Sequence, residues 1–201
     1  MIPIVLASAS PRRKALLEAL GIVVDVRPSH ADEIVDGEPE SVALRNAVTK
    51  RDATAACLSR PALVIAADTI VVLGDRILGK PRDRAEACSM LAELSGKRHT
   101  VITGVAILNS EKSVSAEGTE ATGVLFRDLT RDQIDRFVDA VNPMDRAGAY
   151  TVDGPGTLIV SSYDGCYQNV LGLPIPRLES LMMSIGDSLF DRMDARAARF
   201  L

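Results

Sequence analysis

Four polar side chains follow the apolar run at the N-terminus, and together they could bind a phosphate group. Ser10 is a favourable N-cap for a helix, and Pro11 suits the first helical position because its missing N–H would have no helical partner there. The hydroxyls of Ser8 and Ser10 and the guanidinium groups of Arg12 and Arg13 would then lie at the positive end of a helix dipole, which favours anions. The alternative is a capped helix start that only faces solvent.

Asp68 stands directly after a strongly apolar run, Leu63 to Ala67. A carboxylate in this position is costly to bury unless a cation meets it, and either a divalent metal or a lysine would serve. We therefore interpret Asp68 as a functional carboxylate. The alternative is an aspartate that only caps a turn at the end of a strand.

The segment from Gly74 to Lys80 has the Gly-x-x-x-x-Gly-Lys spacing of a phosphate-binding P-loop. However, Pro81 stands where a P-loop needs the serine or threonine that binds Mg²⁺, and Gly74-Asp75 is typical of a hairpin turn. These differences argue against a P-loop NTPase. Lys80 remains a candidate phosphate ligand.

Any metal ion would have to be held by oxygen atoms, because the chain has only two histidines and no cluster of cysteines. Residues 29–38 form a predicted acidic loop. It carries His30, Asp32, Glu33 and Asp36. Together with Asp68, Asp32 and Glu33 could supply carboxylate ligands, which favours Mg²⁺ or Mn²⁺. The alternative is that Glu33 is an ordinary solvated loop charge.

The elements that position these groups alternate between strand and helix early in the chain. Apolar patterns and turn residues predict strands over residues 2–7, 22–26, 63–73, 77–78, 100–108, 121–126 and 157–163. Helices are predicted over residues 11–20, 39–58, 83–94 and 130–142 and from residue 176, with capping boxes at Asp83/Glu86 and Thr130/Gln133. Residues 109–120 are expected to be rich in turns, Asp164-Gly165 to turn a hairpin, and residues 186–201 to add an amphipathic helix. This order predicts an α/β fold with a mixed sheet.

The composition restricts the possible classes of function. With 201 residues, 47% of them hydrophobic, the chain can bury one substantial core. A net charge of -4 and an aromatic content of 3% argue against a protein that coats nucleic acid. The three cysteines predict neither a disulfide framework nor a zinc site. Because no secretory signal or membrane-spanning run is present in the sequence, we expect a cytoplasmic protein without a membrane or nucleic-acid partner.

Several short motifs follow one another between residues 2 and 180. They are Leu6 to Gly21, Glu33, Lys50, Ala67-Asp68-Thr69, Gly79-Lys80-Pro81, Ser95-Gly96-Lys97-x-His99-x-Val101-x-Thr103-Gly104, Ala147-Gly148-Ala149-Tyr150 and Asn169-Val170-x-Gly172-Leu173-Pro174. In content and order they resemble the Maf family of nucleoside triphosphate pyrophosphatases.

This resemblance implies a Maf/Ham1-like α/β fold, in which an elongated mixed sheet and its helices form two lobes around a central cleft. We expect one such domain over residues 1–201. The resemblance also implies hydrolysis of pyrimidine or noncanonical nucleoside triphosphates to the monophosphate and pyrophosphate, with a divalent metal (Mg²⁺ or Mn²⁺) as cofactor, in a homodimer. An alternative from another class is a nucleotide-binding regulator of septum formation or cell division without turnover.

Site residues follow from the positions that match the family's motifs. Asp68 would be the proton acceptor and, with Glu33, a metal ligand. The phosphate-binding set would comprise Ser8, Ser10, Arg12, Arg13, Lys50 and Lys80. Base preference would depend on Arg12, Thr69 and Asp153. Arg13 and Lys80 are both expected to be exposed at the cleft.

One departure from the family concerns the substrate. In the pyrimidine-preferring branch a glutamine commonly precedes the glycine that follows Ala-Gly-Ala-Tyr, whereas Asp153 precedes Gly154 here. The purine-preferring branch has a Ser-Phe-Lys type of motif in the region of Ala149-Tyr150, and this chain lacks it. We therefore expect dTTP or UTP as substrate, with 7-methyl-GTP or another modified purine nucleotide as the alternative.

Overall fold

The fold is seen in a computed structural model that describes residues 1–29 and 31–199. Seven strands form one sheet: β1 (Ile4–Leu6), β2 (Val24–Val26), β3 (Leu63–Leu73), β4 (Arg76–Leu78), β5 (Arg98–Asn109), β6 (Val114–Phe126) and β7 (Val160–Asp164). The helices are α1 (Pro11–Ala19), α2 (Pro39–Ala56), α3 (Arg84–Leu94), α4 (Arg131–Val141), α5 (Tyr167–Val170), α6 (Ile175–Ser184) and α7 (Leu189–Arg192).

The sheet is mixed, as predicted. Its strand order is β2-β1-β3-β5-β6-β7, and β4 pairs with β3 outside this order. β1 runs parallel to both β2 and β3, because α1 and α2 carry the chain back across the sheet before each new strand begins. Every later pairing is antiparallel. The predicted α/β class is therefore confirmed.

The middle of β3 has one open edge. β5 pairs along one edge of β3 from Leu63 to Val72, so β1 and β4 must share the other edge. β1 pairs only as far as Ile65, and β4 begins to pair at Val71. Neither strand therefore covers residues 66–70, and this gap contains Asp68 and Thr69.

Successive side chains of β3 point to opposite faces of the sheet, and each face has its own helices. Ile70 and Val72 pack with Ala43 of α2 on one face. Asp68 shares this face by its spacing of two from Ile70. Thr69 points to the opposite face, on the side where Ala67 packs with α1 and α6.

Two large hydrophobic clusters lie towards the two ends of β3. One combines β1, α1 and α6 with the beginning of β3, through residues such as Leu6, Leu17 and Leu178. The other combines α3 and α4 with the end of β3, through residues such as Leu91 and Phe137. The division into two lobes around a cleft stays a prediction. The assignment of residues 1–201 to a single domain stays a prediction.

Local signals placed several elements correctly. The strand over residues 63–73 and the hairpin at Gly74-Asp75 are confirmed. Ser10 accepts a hydrogen bond from the N–H of Arg13 at the start of α1, and the capping box of Thr130 and Gln133 is complete. Glu86, in contrast, accepts from the N–H of Arg82, so the capping box predicted at α3 is only half formed.

Three other predictions are wrong. Residues 114–120 belong to β6, because their pairing with β5 extends the sheet to Val114. Asp164-Gly165 leads into α5 and does not turn a hairpin. The strand predicted from residue 157 begins at Val160, because residues 154–158 form a 3₁₀ turn.

The predicted C-terminal helix is also much shorter than expected, since only Leu189–Arg192 is helical among residues 186–199. Residues 200 and 201 of that tail, and His30 of the acidic loop, lie outside the described residues. No helix within residues 1–29 and 31–199 has the length and apolar character needed to cross a membrane.

Candidate active site

A cavity of about 550 Å³ lies at the open edge of β3. Its wall is formed by the β1–α1 turn, the middle of β3, the end of β4, part of α2 and residues 145–151. The structure brings nine of the ten residues predicted for the site into this wall. They are Ser8, Ser10, Arg12, Arg13, Glu33, Lys50, Asp68, Thr69 and Lys80. The tenth, Asp153, lies outside it.

The buried carboxylate of Asp68 forms an ion pair with a lysine. A buried carboxylate needs a cationic partner of this kind. Nζ of Lys50 lies 2.6 Å from Oδ1 of Asp68 and 2.5 Å from Oε1 of Glu33. The side chains of Lys50 and Asp68 are mostly buried, whereas Glu33 is half exposed. One ammonium group therefore holds two carboxylates together at one end of the cavity.

Close contact between α2 and the sheet places Lys50 beside Asp68. Gly104 is the register partner of Asp68 on β5. A Cβ atom at Gly104 would lie 2.3 Å from the carbonyl oxygen of Ala43 on α2, well inside van der Waals contact. Glycine at this position therefore lets α2 pack against the sheet opposite Asp68, and Lys50 reaches across from the same helix.

Asn46 completes this end of the site, although it was not among the predicted site residues. Its Nδ2 group donates to Oδ2 of Asp68 over 3.0 Å and to the carbonyl oxygen of Ile34 over 2.9 Å. Its Oδ1 accepts from the N–H of Ile34. Asn46 thus ties Asp68 to the loop that carries Glu33. A signal was available, because Asn46 stands four residues before Lys50 and so shares its helix face.

Arg13 is buried, which contradicts the prediction that it is exposed. Its Nε donates to the carbonyl oxygen of Gly172, its Nη1 to Ser8 and its Nη2 to Thr69, over 2.7, 2.9 and 3.0 Å. Burial lowers the pKa of this guanidinium group, and the negative charge of Asp68 opposes that shift. Arg13 therefore connects the β1–α1 turn to β3 and to the segment after α5, while part of its side chain reaches the cavity wall.

Thr69 lies at the centre of a buried polar network. Besides accepting from Arg13, its hydroxyl hydrogen-bonds to that of Thr103, 2.9 Å away. Thr103 donates to the carbonyl oxygen of Asn169, a residue that is completely buried. These contacts fix the side of the cavity opposite α2.

The remaining predicted cations differ in their surroundings. Lys80 is exposed at the end of the β4 hairpin. The pKa of Arg12 is lowered by burial and by the positive charge of Arg146, while Asp153 and Asp145 oppose that change. Arg12 and Arg146 both line the cavity, whereas Asp153 does not. The exposed Asp153 accepts a hydrogen bond from Thr151, which does line the cavity.

An aromatic group supports the wall near residues 147–151. The hydroxyl of Tyr150 lies 2.8 Å from Nε2 of His99, and both rings pack edge-to-face with Phe126. Burial lowers the pKa of His99 to about 4 and raises that of the Tyr150 hydroxyl. His99 is therefore neutral at physiological pH.

The carboxylates could hold a divalent cation between them. Because Oε1 of Glu33 and Oδ1 of Asp68 contact the same Nζ atom, they lie no more than about 5.1 Å apart. Two oxygens bound to one Mg²⁺ lie no more than about 4.2 Å apart, so the two carboxylates would need at most a small approach to share one cation. Asp32 is exposed and lies outside the cavity wall. Within the described part of the chain, no group of three or more candidate metal ligands occurs, so the other ligands would be water and substrate oxygens, as is common for Mg²⁺.

The chain matches the family described as Maf-like protein over residues 3–185. It belongs to the Maf family.

Relatives named dTTP/UTP pyrophosphatase share much of this sequence. The protein of that name from Desulforamulus reducens is 46% identical over 187 residues, which cover 92% of this chain and 98% of the relative. Its namesake from Moorella thermoacetica is 44% identical over 96% of this chain and 100% of its own length. The solved structure of the Staphylococcus aureus Ham1 protein matches with 17% identity and a TM-score of 0.44, covering 63% of this chain and 72% of that one.

The Maf motifs therefore meet at one cavity although they are spread over much of the chain. Sequence reasoning found the charged residues because each stands out in its local context. It missed Asn46, which donates to Asp68, and Arg146, which lines the cavity. Arg146 directly precedes Ala147-Gly148-Ala149-Tyr150 and could have been found by extending that motif by one residue.

Proposed function

We propose that this chain hydrolyses dTTP and UTP to the nucleoside monophosphate and pyrophosphate. The observation that carries the proposal is a buried carboxylate, Asp68, at one end of a cavity whose wall also contains Arg12, Arg13 and Lys80. The relatives named dTTP/UTP pyrophosphatase support the same activity. A proton acceptor beside a set of cations is what hydrolysis of a phosphoanhydride requires.

Asp68 would act as the proton acceptor. Lys50 and Asn46 hold its two oxygens, so the carboxylate has a fixed orientation. Water would add through its oxygen to the α-phosphorus, and Asp68 would take the proton that the water loses. The bond from the α-phosphorus to the bridging oxygen would break, and pyrophosphate would leave with the electron pair of that bond.

The cations would stabilise the charge that develops on the leaving pyrophosphate. Arg12 and Lys80 are the members of the set that combine access to the cavity with partial or full exposure. Ser8, Ser10 and Arg13 would shape the phosphate-binding end, since Arg13 fixes the Ser8 hydroxyl. Preorganised donors of this kind favour the transition state because they need no rearrangement as charge develops.

Glu33 and Asp68 would bind Mg²⁺ or Mn²⁺, which when bound would neutralise charge on phosphate oxygens. The Lys50 ammonium contacts the same two carboxylate oxygens. Lys50 would therefore have to give up at least one of these contacts when the cation binds. Released in this way, it would be available to a phosphate group, the role that the resemblance implies for it.

The base would be read by Arg12, Thr69 and Asp153. An ionised Asp153 can only accept hydrogen bonds, so it favours a base edge that offers a donor, such as N3–H of thymine or uracil. The corresponding ring nitrogen of cytosine is an acceptor, which predicts weaker turnover of CTP. Guanine also offers donors at N1 and at its amino group, so a modified purine triphosphate such as 7-methyl-GTP is the second candidate.

We also propose that the protein works in the cytoplasm as a homodimer, without nucleic acid or membrane as a partner. The family resemblance supports the dimer, and the net charge of -4 argues against nucleic acid. Light scattering coupled to gel filtration would test the assembly. A mass equal to one chain at micromolar concentration would contradict it.

Pyrophosphate release from a panel of triphosphates tests the activity. The purified protein would be incubated with dTTP, UTP, CTP and 7-methyl-GTP in Mg²⁺ and in Mn²⁺, and then with EDTA. We expect dTTP and UTP to be the best substrates and EDTA to abolish turnover. Release of orthophosphate instead of pyrophosphate would overturn the assigned reaction. Nucleotide binding without any turnover would favour the regulator of septum formation.

Asp153→Gln tests the assignment of base reading within the same panel. Glutamine both donates and accepts, so this variant should keep or improve turnover of dTTP and UTP. Asp153→Ala should change the ranking of the four nucleotides. An unchanged ranking in both variants would show that Asp153 does not read the base.

A further inference from the structure

Arg146 has an unsatisfied donor at the wall of the cavity. Its Nε group is buried and has no hydrogen-bond acceptor among the described residues. The nearest carboxylate is that of Asp145, whose Oδ1 lies 3.5 Å from Nε without forming a hydrogen bond. Asp145 is itself mostly exposed. A buried N–H without a hydrogen-bond acceptor is unfavourable, and an acceptor oxygen on a bound ligand would remove that cost.

The backbone around Arg146 is held in an unusual conformation. Ala149 is fully buried and has a φ of 60°, a left-handed conformation that is unfavourable for a residue with a Cβ atom. The N–H of Ala149 donates to the carbonyl oxygen of Arg146, and that of Gly148 donates to the carbonyl oxygen of Gly79. These bonds fix the segment that carries Arg146 next to the residue that precedes Lys80. Strained backbone of this kind is concentrated at ligand-binding sites.

Arg146 shares the cavity wall with a second guanidinium group, that of Arg12. The charge of Arg146 lowers the pKa of Arg12, which is already lowered by burial. Both side chains line the same cavity, as does Lys80. Like charges repel one another, and an anion placed between them would relieve that repulsion. A guanidinium group also matches the geometry of phosphate oxygens, because its N–H groups form a planar fork.

We propose that Arg146 is a substrate-binding residue that, together with Arg12, binds a phosphate group of the nucleoside triphosphate. The Nε–H of Arg146 would then donate to a phosphate oxygen. That the anion is part of a nucleoside triphosphate rests on the proposed function. That the anion is a phosphate or polyphosphate rests on the two guanidinium groups. The role extends the phosphate-binding set to a residue that the sequence motifs did not include.

Calorimetric titration with inorganic pyrophosphate, and separately with dTTP, tests this role without relying on turnover. We expect Arg146→Ala to weaken binding of both ligands by about tenfold or more, because a charge-assisted hydrogen bond is lost. Arg146→Lys should fall between that variant and the parent protein, since it keeps the charge and loses the fork. Arg131→Ala removes an exposed arginine from α4, outside the cavity, and should bind as the parent does.

Thermal unfolding separates binding from a structural role. Arg146→Ala removes a buried unsatisfied donor and the charge repulsion with Arg12, and its ion pair with the exposed Asp145 contributes little, so its Tm should be unchanged or higher. Asp145→Asn should leave pyrophosphate binding unchanged or tighter, because it removes a negative charge near the anion. A lower Tm with unchanged binding, or weaker binding in Asp145→Asn equal to that in Arg146→Ala, would overturn the proposal.

The proposed activity can fail independently of this inference. If the parent protein binds pyrophosphate and dTTP but releases no product, the activity is wrong and the Arg146 variants still decide the anion site. If turnover occurs and Arg146→Ala binds both ligands normally, the activity stands and the role of Arg146 is wrong.

Discussion

The ammonium group of Lys50 lies 2.6 Å from Oδ1 of Asp68, and only about a tenth of either side chain is exposed. Removing one member of a buried ion pair leaves the other charge without a partner, which costs more than removing both. Lys50→Met should therefore lower the free energy of unfolding by about 3 kcal/mol. Lys50→Met/Asp68→Asn should recover part of that loss.

Urea denaturation at pH 7.5 would measure both variants of this pair. The double variant should remain inactive while its stability rises, because the carboxylate is gone. If it is as unstable as Lys50→Met alone, the pair does not stabilise the fold through charge, and packing of the lysine stem would be the cause.

Asp68→Asn isolates the chemical step. Asparagine keeps the size of the side chain and an acceptor for Lys50, but it is a poor proton acceptor. We expect kcat for dTTP to fall by about 10² to 10⁴, with a much smaller change in KM. Asp52→Asn on α2 is a matched control, since Asp52 is exposed and pairs with Arg51. A kcat in Asp68→Asn close to that of the control would contradict the assigned role.

Asn46 should act by positioning Asp68 and Glu33. Asn46→Ala removes one hydrogen bond to Asp68 and both hydrogen bonds to Ile34, which stands next to Glu33. We expect kcat to fall by about tenfold and the Mg²⁺ concentration for half-maximal activity to rise, in line with the loss of outer-shell support. Thr49→Ala on the exposed face of α2 should change neither value. A fall in stability without a change in metal dependence would limit Asn46 to a structural role.

Arg13 and Lys80 should respond differently to the loss of their charges. Arg13→Met removes three hydrogen bonds from a buried side chain and should destabilise the fold by about 2–4 kcal/mol. Lys80→Met affects an exposed residue, so stability should change by no more than about 0.5 kcal/mol while kcat/KM falls at least about tenfold. Parallel urea denaturation and kinetics would measure both, and equal losses of stability would contradict this distinction.

Buried His99 should make the fold sensitive to mild acid. Burial lowers its pKa from 6.5 to about 4, so the unfolded chain binds a proton in a pH range where the folded protein does not. The contribution of neutral His99 to the free energy of unfolding is therefore complete above pH 6.5 and is lost as the pH falls towards 4. The loss should approach about 1.4 kcal/mol per pH unit and total about 3 kcal/mol.

Urea denaturation at pH 7.5, 6.0 and 5.0 would test the role of His99. His99→Gln has no titrating ring, so its stability should decline less than that of the parent protein between pH 6.5 and 5. The difference between the two proteins, and not the total decline, is the quantity to compare, because carboxylates also begin to titrate near pH 5. Parallel pH profiles would show that another group causes the acid sensitivity.

Local sequence determined the elements that are specified by interactions between residues close together in the chain. The N-cap at Ser10, the capping box at Thr130 and Gln133, and the long apolar strand Leu63–Leu73 all follow from neighbouring side chains. The sequence also indicated that Asp68 needs a cation beside it, because burying a carboxylate at the end of an apolar run is costly without one. It did not indicate which cation this would be.

Tertiary structure decided which groups meet and which are buried. Lys50 reaches Asp68 because α2 packs against the sheet at Gly104, and Asn46 joins them from the same helix face. Arg13 donates to Gly172, 159 residues away, and this contact buries a side chain that its local sequence placed at the surface. Packing and strand register bring such distant groups together. The neighbours of a residue in the sequence do not specify its distant contacts or its burial, so only the folded chain shows which of these groups meet.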